Sequence, residues 1–194
     1  MLRLQQTLSI PLPHSHKLHK LSRWQISLVA LTAIIGITGA SLNHHTQAAP
    51  LQLPIEAQLV KATNLERTQL GLSALNWNAA LYQAATAKAA SMYEHQYFDH
   101  IAPDGTTPWM FIRPKYNYET AGENLAADFD NQLKAIPAWM HSPSHRENIL
   151  DTKYKDIAIV VSSGIMNGKK TTLIVQMFGE PATAANVLGL RGTK

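Results

Sequence analysis

Four histidines lie beyond residue 49: His95, His100, His141 and His145. Neutral imidazole is the commonest transition-metal ligand, and near pH 6.5 the same ring can exchange a proton. His100 stands in Tyr-Phe-Asp-His-Ile-Ala-Pro-Asp-Gly, and His145 stands in Trp-Met-His-Ser-Pro-Ser-His-Arg-Glu. Between them, Glu123 follows a glycine in Ala-Gly-Glu-Asn-Leu-Ala, which reads as a tight turn. Two imidazoles and one carboxylate would make an open metal site with a position left for water. Spacing alone does not bring the three together, and local pattern favours structural roles over a metal site. His141 is four residues from His145, but Pro143 interrupts that helix. His95 and His100 would point to different sides of a helix. The chain has no cysteine, which excludes a disulfide scaffold, a thiol nucleophile, an iron–sulfur centre and Cys-ligated zinc.

Positioning these residues falls to a few elements. Ile55, Leu59, Ala62 and Leu65 recur at helical spacing, and Gly71 supplies a C-terminal stop. Asn78 can cap a second helix with the stripe Leu81, Ala85, Ala89 and Met92. Residues 97–122 carry three prolines and two glycines and read as mainly irregular loop. A third helix fits residues 131–141, and Ser144 with Glu147 has capping-box spacing for a short helix after it. Residues 157–161 and 172–178 are β-branched runs separated by Asn167-Gly168, a hairpin signal. Helices first and paired strands last predict an α+β domain with helices packed on a small antiparallel sheet. Trp77 and Trp139 read as core, and Arg67 and Arg146 as partners of acids.

The 194 residues divide unevenly in charge. Arg3, Lys17, Lys20 and Arg23 precede residue 49 without an acid, and they account for the net charge of +4. Residues 50–194 hold 13 basic and 13 acidic side chains, so this part has no charge excess to attract nucleic acid. Residues 26–42 are uncharged and mostly apolar, with small residues at 48–49. Basic start, apolar run and small-residue exit predict a signal peptide or signal anchor over 1–49, followed by a linker at 50–56. The remainder would then be exported, with membrane contact only through the leader if it is uncleaved.

Asn64-Leu-Glu-Arg67, Gly71-Leu-x-x-Leu-x-Trp77, Phe-Asp-His100, Gly-Glu-Asn-Leu-Ala126, Trp139-x-x-Ser-Pro-Ser-His-Arg-x-Asn-Ile-Leu150 and Gln176-x-Phe-Gly179 occur in that order. Together they resemble the CAP superfamily, the SCP-like extracellular domain, in its bacterial branch. The resemblance covers residues 57–180 and leaves 181–194 as a flexible tail. It implies an α-β-α sandwich and a groove in which His100, Glu123 and His145 match three of the family's four His/Glu positions. The fourth, a glutamate three residues after the tryptophan, is Ser142 here. The implied cofactor is a divalent cation, Zn2+ among the candidates, on His100, Glu123 and His145. Asn124 and Ser142 complete the implied groove.

Three classes of function follow. The first is an exported binding or interaction module for a small molecule, lipid or envelope component. The second is a hydrolase of peptide or envelope polymer acting through metal or a His/Glu pair. The sequence has no His-Glu-x-x-His, Gly-x-Ser-x-Gly or catalytic thiol in its favour. The third is a structural component of the cell envelope.

Overall fold

A computed structural model describes residues 53–183; the leader at 1–49 and the tail from 184 lie outside the described residues. The first helix, α1 (Ile55–Gln69), ends in a motif that its sequence dictates. Gly71 takes a φ of 75°, its N–H reaches Thr68 O, and the Leu72 N–H reaches Arg67 O. This pair of bonds is a Schellman closure, which places glycine in the left-handed position. The buried face of α1 is Leu59, Thr63 and Arg67, while Leu65, expected on the inner stripe, is exposed. A two-residue strand β1 (Asn76–Trp77) follows. In α2 (Ala79–Glu94), the Asn78 side chain accepts from the N–H groups of Ala80 and Leu81, and the predicted stripe is buried.

The stretch expected to be irregular is partly ordered. It contains α3 (Pro108–Ile112) and the first half of a ten-residue strand β2 (Tyr118–Ala127). Local pattern misses this strand because Thr-Ala-Gly-Glu-Asn-Leu-Ala holds few β-formers. Its order comes from pairing with a strand about 50 residues later in the chain. The predicted third helix is a short 3-10 turn at Gln132–Lys134 leading into α4 (Ala135–His141). Next, α5 (Pro143–Leu150) starts with proline in its first turn and Ser142 at the N-cap, so Ser144 is not the capping residue. The hairpin is β3 (Asp156–Met166) and β4 (Lys169–Pro181). Asn167 and Gly168 both take positive φ, 49° and 75°, as a type I′ turn requires.

The sheet runs β1-β3-β4-β2, antiparallel except for the β1–β3 pair, which is parallel. Alternation along the strands divides the core in two. Leu173, Val175 and Met177 pack with Leu81, Ala85 and Met92 of α2. Ile174 and Phe178 pack with Leu59 of α1, Trp139 of α4 and Ile149 of α5. Helices therefore cover both faces, the α-β-α layering expected. Two tyrosines lie over glycines of the β2–β4 pair. A Cβ on Gly122 would sit 2.5 Å from the Tyr154 hydroxyl, and one on Gly179 would collide with the Tyr116 ring. Gly122 therefore serves close approach within a strand rather than a turn.

Candidate functional site

Glu123 and Asn124 are neighbours on an edge strand, so their side chains leave opposite faces of the sheet. Glu123 turns toward the α2 layer, where its Oε1 lies 2.7 Å from His100 Nδ1. A carboxylate can only accept, so His100 Nδ1 donates. Both groups are buried, at 3% and 6% exposure. Glu123 Oε2 is buried without a hydrogen-bond partner, alone in this among the described residues.

Asn124 faces the other layer and ties the strand to α5. Its Nδ2 donates to His145 O and Gln176 Oε1, and its Oδ1 accepts from Asn148 Nδ2. Asn148 Nδ2 also donates to Glu123 O. The chain of bonds continues from Gln176 Nε2 to Thr63 Oγ1 and from Thr63 to Leu59 O in α1. Every one of these buried amides is satisfied, which fixes their orientations. Asn124 thus serves as a strand residue bridging to helices, not as a turn residue.

His145 is mounted differently from His100. Its Nδ1 lies 2.8 Å from Ser142 Oγ, and its ring stacks on Trp139 with centroids 6.4 Å apart. Trp139 is itself anchored in the core by Nε1–H donating to Leu125 O. Burial, and secondarily the charge on His100, pushes His145 down to about 4, so it is neutral at ordinary pH. A base that weak is poorly matched to activating the Ser142 hydroxyl. The contact and the stacking on Trp139 fix the ring.

The structure thus joins His100 to Glu123 directly. It links Glu123 and Asn124 to α5 through Asn148 and His145 O, and joins Ser142 to His145. His141 is exposed, with Nδ1 2.6 Å from Pro137 O, and His95 is exposed at the end of α2. Trp77, expected in the core, is 55% exposed on the edge strand against Tyr82. Arg67 pairs with backbone carbonyls of Ser73, Ile149 and Asp151 rather than with an acid side chain, and Arg146 is exposed. Two contributors are not among the expected groove residues. Asn148 stands in the Trp139–Leu150 motif, but nothing there points to a groove role, whereas Lys88 carries a local signal as a cation on the apolar stripe of α2.

Among the described residues, no group of three His, Cys, Asp or Glu side chains is arranged to hold an ion. Glu123 spends Oε1 on His100, the place of an orienting carboxylate behind a ligand rather than of a ligand itself.

The chain is similar to the uncharacterized protein YkwD of Bacillus subtilis, 34% identical over 129 residues. That match covers 66% of this chain and 50% of the relative, so the chain spans about half the length of that protein. An extracellular protein containing a SCP domain from Bacillus anthracis superposes with a TM-score of 0.56 at 25% identity, covering 64% of this chain and 40% of that one. An outer surface protein of Borrelia burgdorferi shares the fold, with a TM-score of 0.57 at 24% identity over 65% of this chain and 92% of its own. The profile of the cysteine-rich secretory proteins spans residues 60–178, more than half the sequence, and the chain, though without a cysteine, belongs to that family, CAP.

Proposed function

We propose that this is an exported binding module whose groove, formed by His100, Glu123, His145, Asn124 and Ser142, takes a small polar ligand. The supporting observation is Glu123 Oε2, a buried carboxylate oxygen without a donor. Such an atom costs about 1–3 kcal/mol, and a ligand bringing an N–H, an O–H or an ammonium group would recover it. Neutral His145 and the Nε2 edge of His100 add partners for the same ligand. Export is supported by the basic and apolar leader and by structural relatives described as extracellular or outer-surface proteins.

A resident divalent ion fits less well. An open zinc site uses three protein ligands, and among the described residues no three His, Cys, Asp or Glu side chains are arranged to hold an ion. Any cation held by His100 and His145 alone would be weak and exchangeable. Amine- and amide-bearing envelope components, peptides and amino sugars among them, suit the free carboxylate oxygen.

Titration of the full chain with glucosamine, glycinamide and zinc chloride, followed by NMR at Glu123, His100 and His145, tests the reading. Saturable shifts from an amine or amide probe that disappear in E123Q are expected. Zinc binding with no response to either organic probe would replace the ligand by a metal. No response to any of the three would favour a structural envelope component.

A further inference from the structure

Lys88 lies on the apolar stripe of α2 and has no solvent exposure. Burying an ammonium costs several kcal/mol unless each of its three N–H groups finds an acceptor. Three oxygens receive them: Asp99 O at 2.7 Å, His100 O at 2.6 Å and the Tyr97 hydroxyl at 3.3 Å. The charge also sits 4.8 Å from the centre of the Tyr97 ring and 5.9 Å from that of Phe111.

Two of the acceptors have a special relation to the groove. Asp99 O and His100 O belong to the peptide units on either side of the His100 Cα. Holding both units fixes φ and ψ of His100, and with them the direction of its side chain. No helix or strand does this work, because residues 97–107 belong to none.

We propose that Lys88 is a positioning residue of the groove, whose ammonium pins both peptide units around His100 and so aims the imidazole at Glu123. Its use to the protein rests on the groove reading above, whereas the geometry stands without any ligand. Burial lowers the affinity of this amine for its proton, while Glu123 and Asp99 raise it, as expected for a cation enclosed near carboxylates.

Because the chain contains no cysteine, K88C carries a unique thiol. In denaturant, its thiolate displaces bromide from bromoethylamine, forming a C–S bond and restoring an ammonium at lysine length. The full chain is then refolded and read by NMR. One signal is the His100 Nδ1–H resonance, drawn downfield by Glu123. The other is amide exchange at Ala102, whose N–H bonds to Thr106 O. Unalkylated K88C should lose the resonance and exchange Ala102 about tenfold faster or more, a local opening, with Val160 and Val175 unchanged. Alkylation should restore both signals. Unalkylated K88C that keeps the resonance and the slow exchange would overturn the proposal. So would alkylated protein that folds, judged by Val160 and Val175, without regaining the resonance. Should only the alkylated form fold, the resonance there decides in the same way. Absence of glucosamine and glycinamide binding by the unmodified protein would count against the groove reading and leave the role of Lys88 standing.

Discussion

Among the described residues the two largest fully buried side chains are both cations, Arg67 and Lys88, and they serve opposite faces of one sheet. Arg67 leaves α1 and donates through Nη1 to Ile149 O at 2.7 Å and Asp151 O at 2.9 Å, at the end of α5. Its Nε reaches Ser73 O at 2.9 Å. Lys88 leaves α2 and donates to the two carbonyls around His100. Each cation thus holds a segment that carries one of the two buried histidines, but at different places. A helix has its own hydrogen-bond ladder, so anchoring the end of α5 also places His145 a turn earlier. A loop has no ladder and must be held at the histidine itself. The two cations differ in shape accordingly. The planar guanidinium spans three separated carbonyls, and the compact ammonium fills one convergent pocket.

Removing an anchor tests this contrast most strongly. R67M should destabilise the protein by about 3–5 kcal/mol in chemical unfolding, because three carbonyls lose a charged donor. It should disturb the His145 ring resonances and leave the His100 Nδ1–H signal in place. Disturbance of both histidines alike would erase the distinction between a remote and a local mount.

Leu81→Ala truncates the core beneath Lys88 without touching its donors. A loss of about 2–5 kcal/mol is expected from the melting transition, with the His100 signal retained. If that signal disappears as well, general packing and not Lys88 holds the loop. Gly122→Ala places a Cβ 2.5 Å from the Tyr154 hydroxyl and 3.0 Å from Asn148 Oδ1. It should cost about 1–3 kcal/mol by overpacking. Its damage should fall first on the Asn148–Asn124 bridge to α5, seen as faster exchange of the Asn148 side-chain amide.

Acid distinguishes the mounts without mutation. His145 is pushed down to about 4 in the fold, against about 6.5 when unfolded, so between these values the unfolded chain binds the extra proton. Its contribution to stability is therefore complete above pH 6.5 and is lost as pH falls toward about 4. Chemical unfolding across that window should show a slope of roughly 1 kcal/mol per pH unit, less than the full linkage value because the ring is not wholly enclosed. His145→Phe should flatten the slope, and an unchanged slope would assign it to other groups. The smallest effect belongs to Trp77→Ala at the exposed edge, within about 1 kcal/mol in the same assay and without change at either histidine.

Where short-range chemistry is in control, the amino-acid order was enough. Asn78 caps α2, Gly71 closes α1, and Asn167-Gly168 turns the hairpin, each through contacts within a few residues. The order of motifs also carried the family and the layered fold. Other features waited on partners far along the chain. β2 is a strand because it lies in register with β4, pairing Glu123 with Met177 and Asn124 with Gln176, so the expected turn at Gly122 is a place for Tyr154 instead. A charge on an apolar stripe marks Lys88, and Arg67 reads as the partner of an acid, but only the fold brings the carbonyls from other segments that surround them. Trp77 is apolar enough for a core, yet β1 lies at the sheet edge, where no layer covers it. Local pattern reports a residue's preference for backbone shape and for water. It does not report which distant oxygen, ring or strand will be available to meet it.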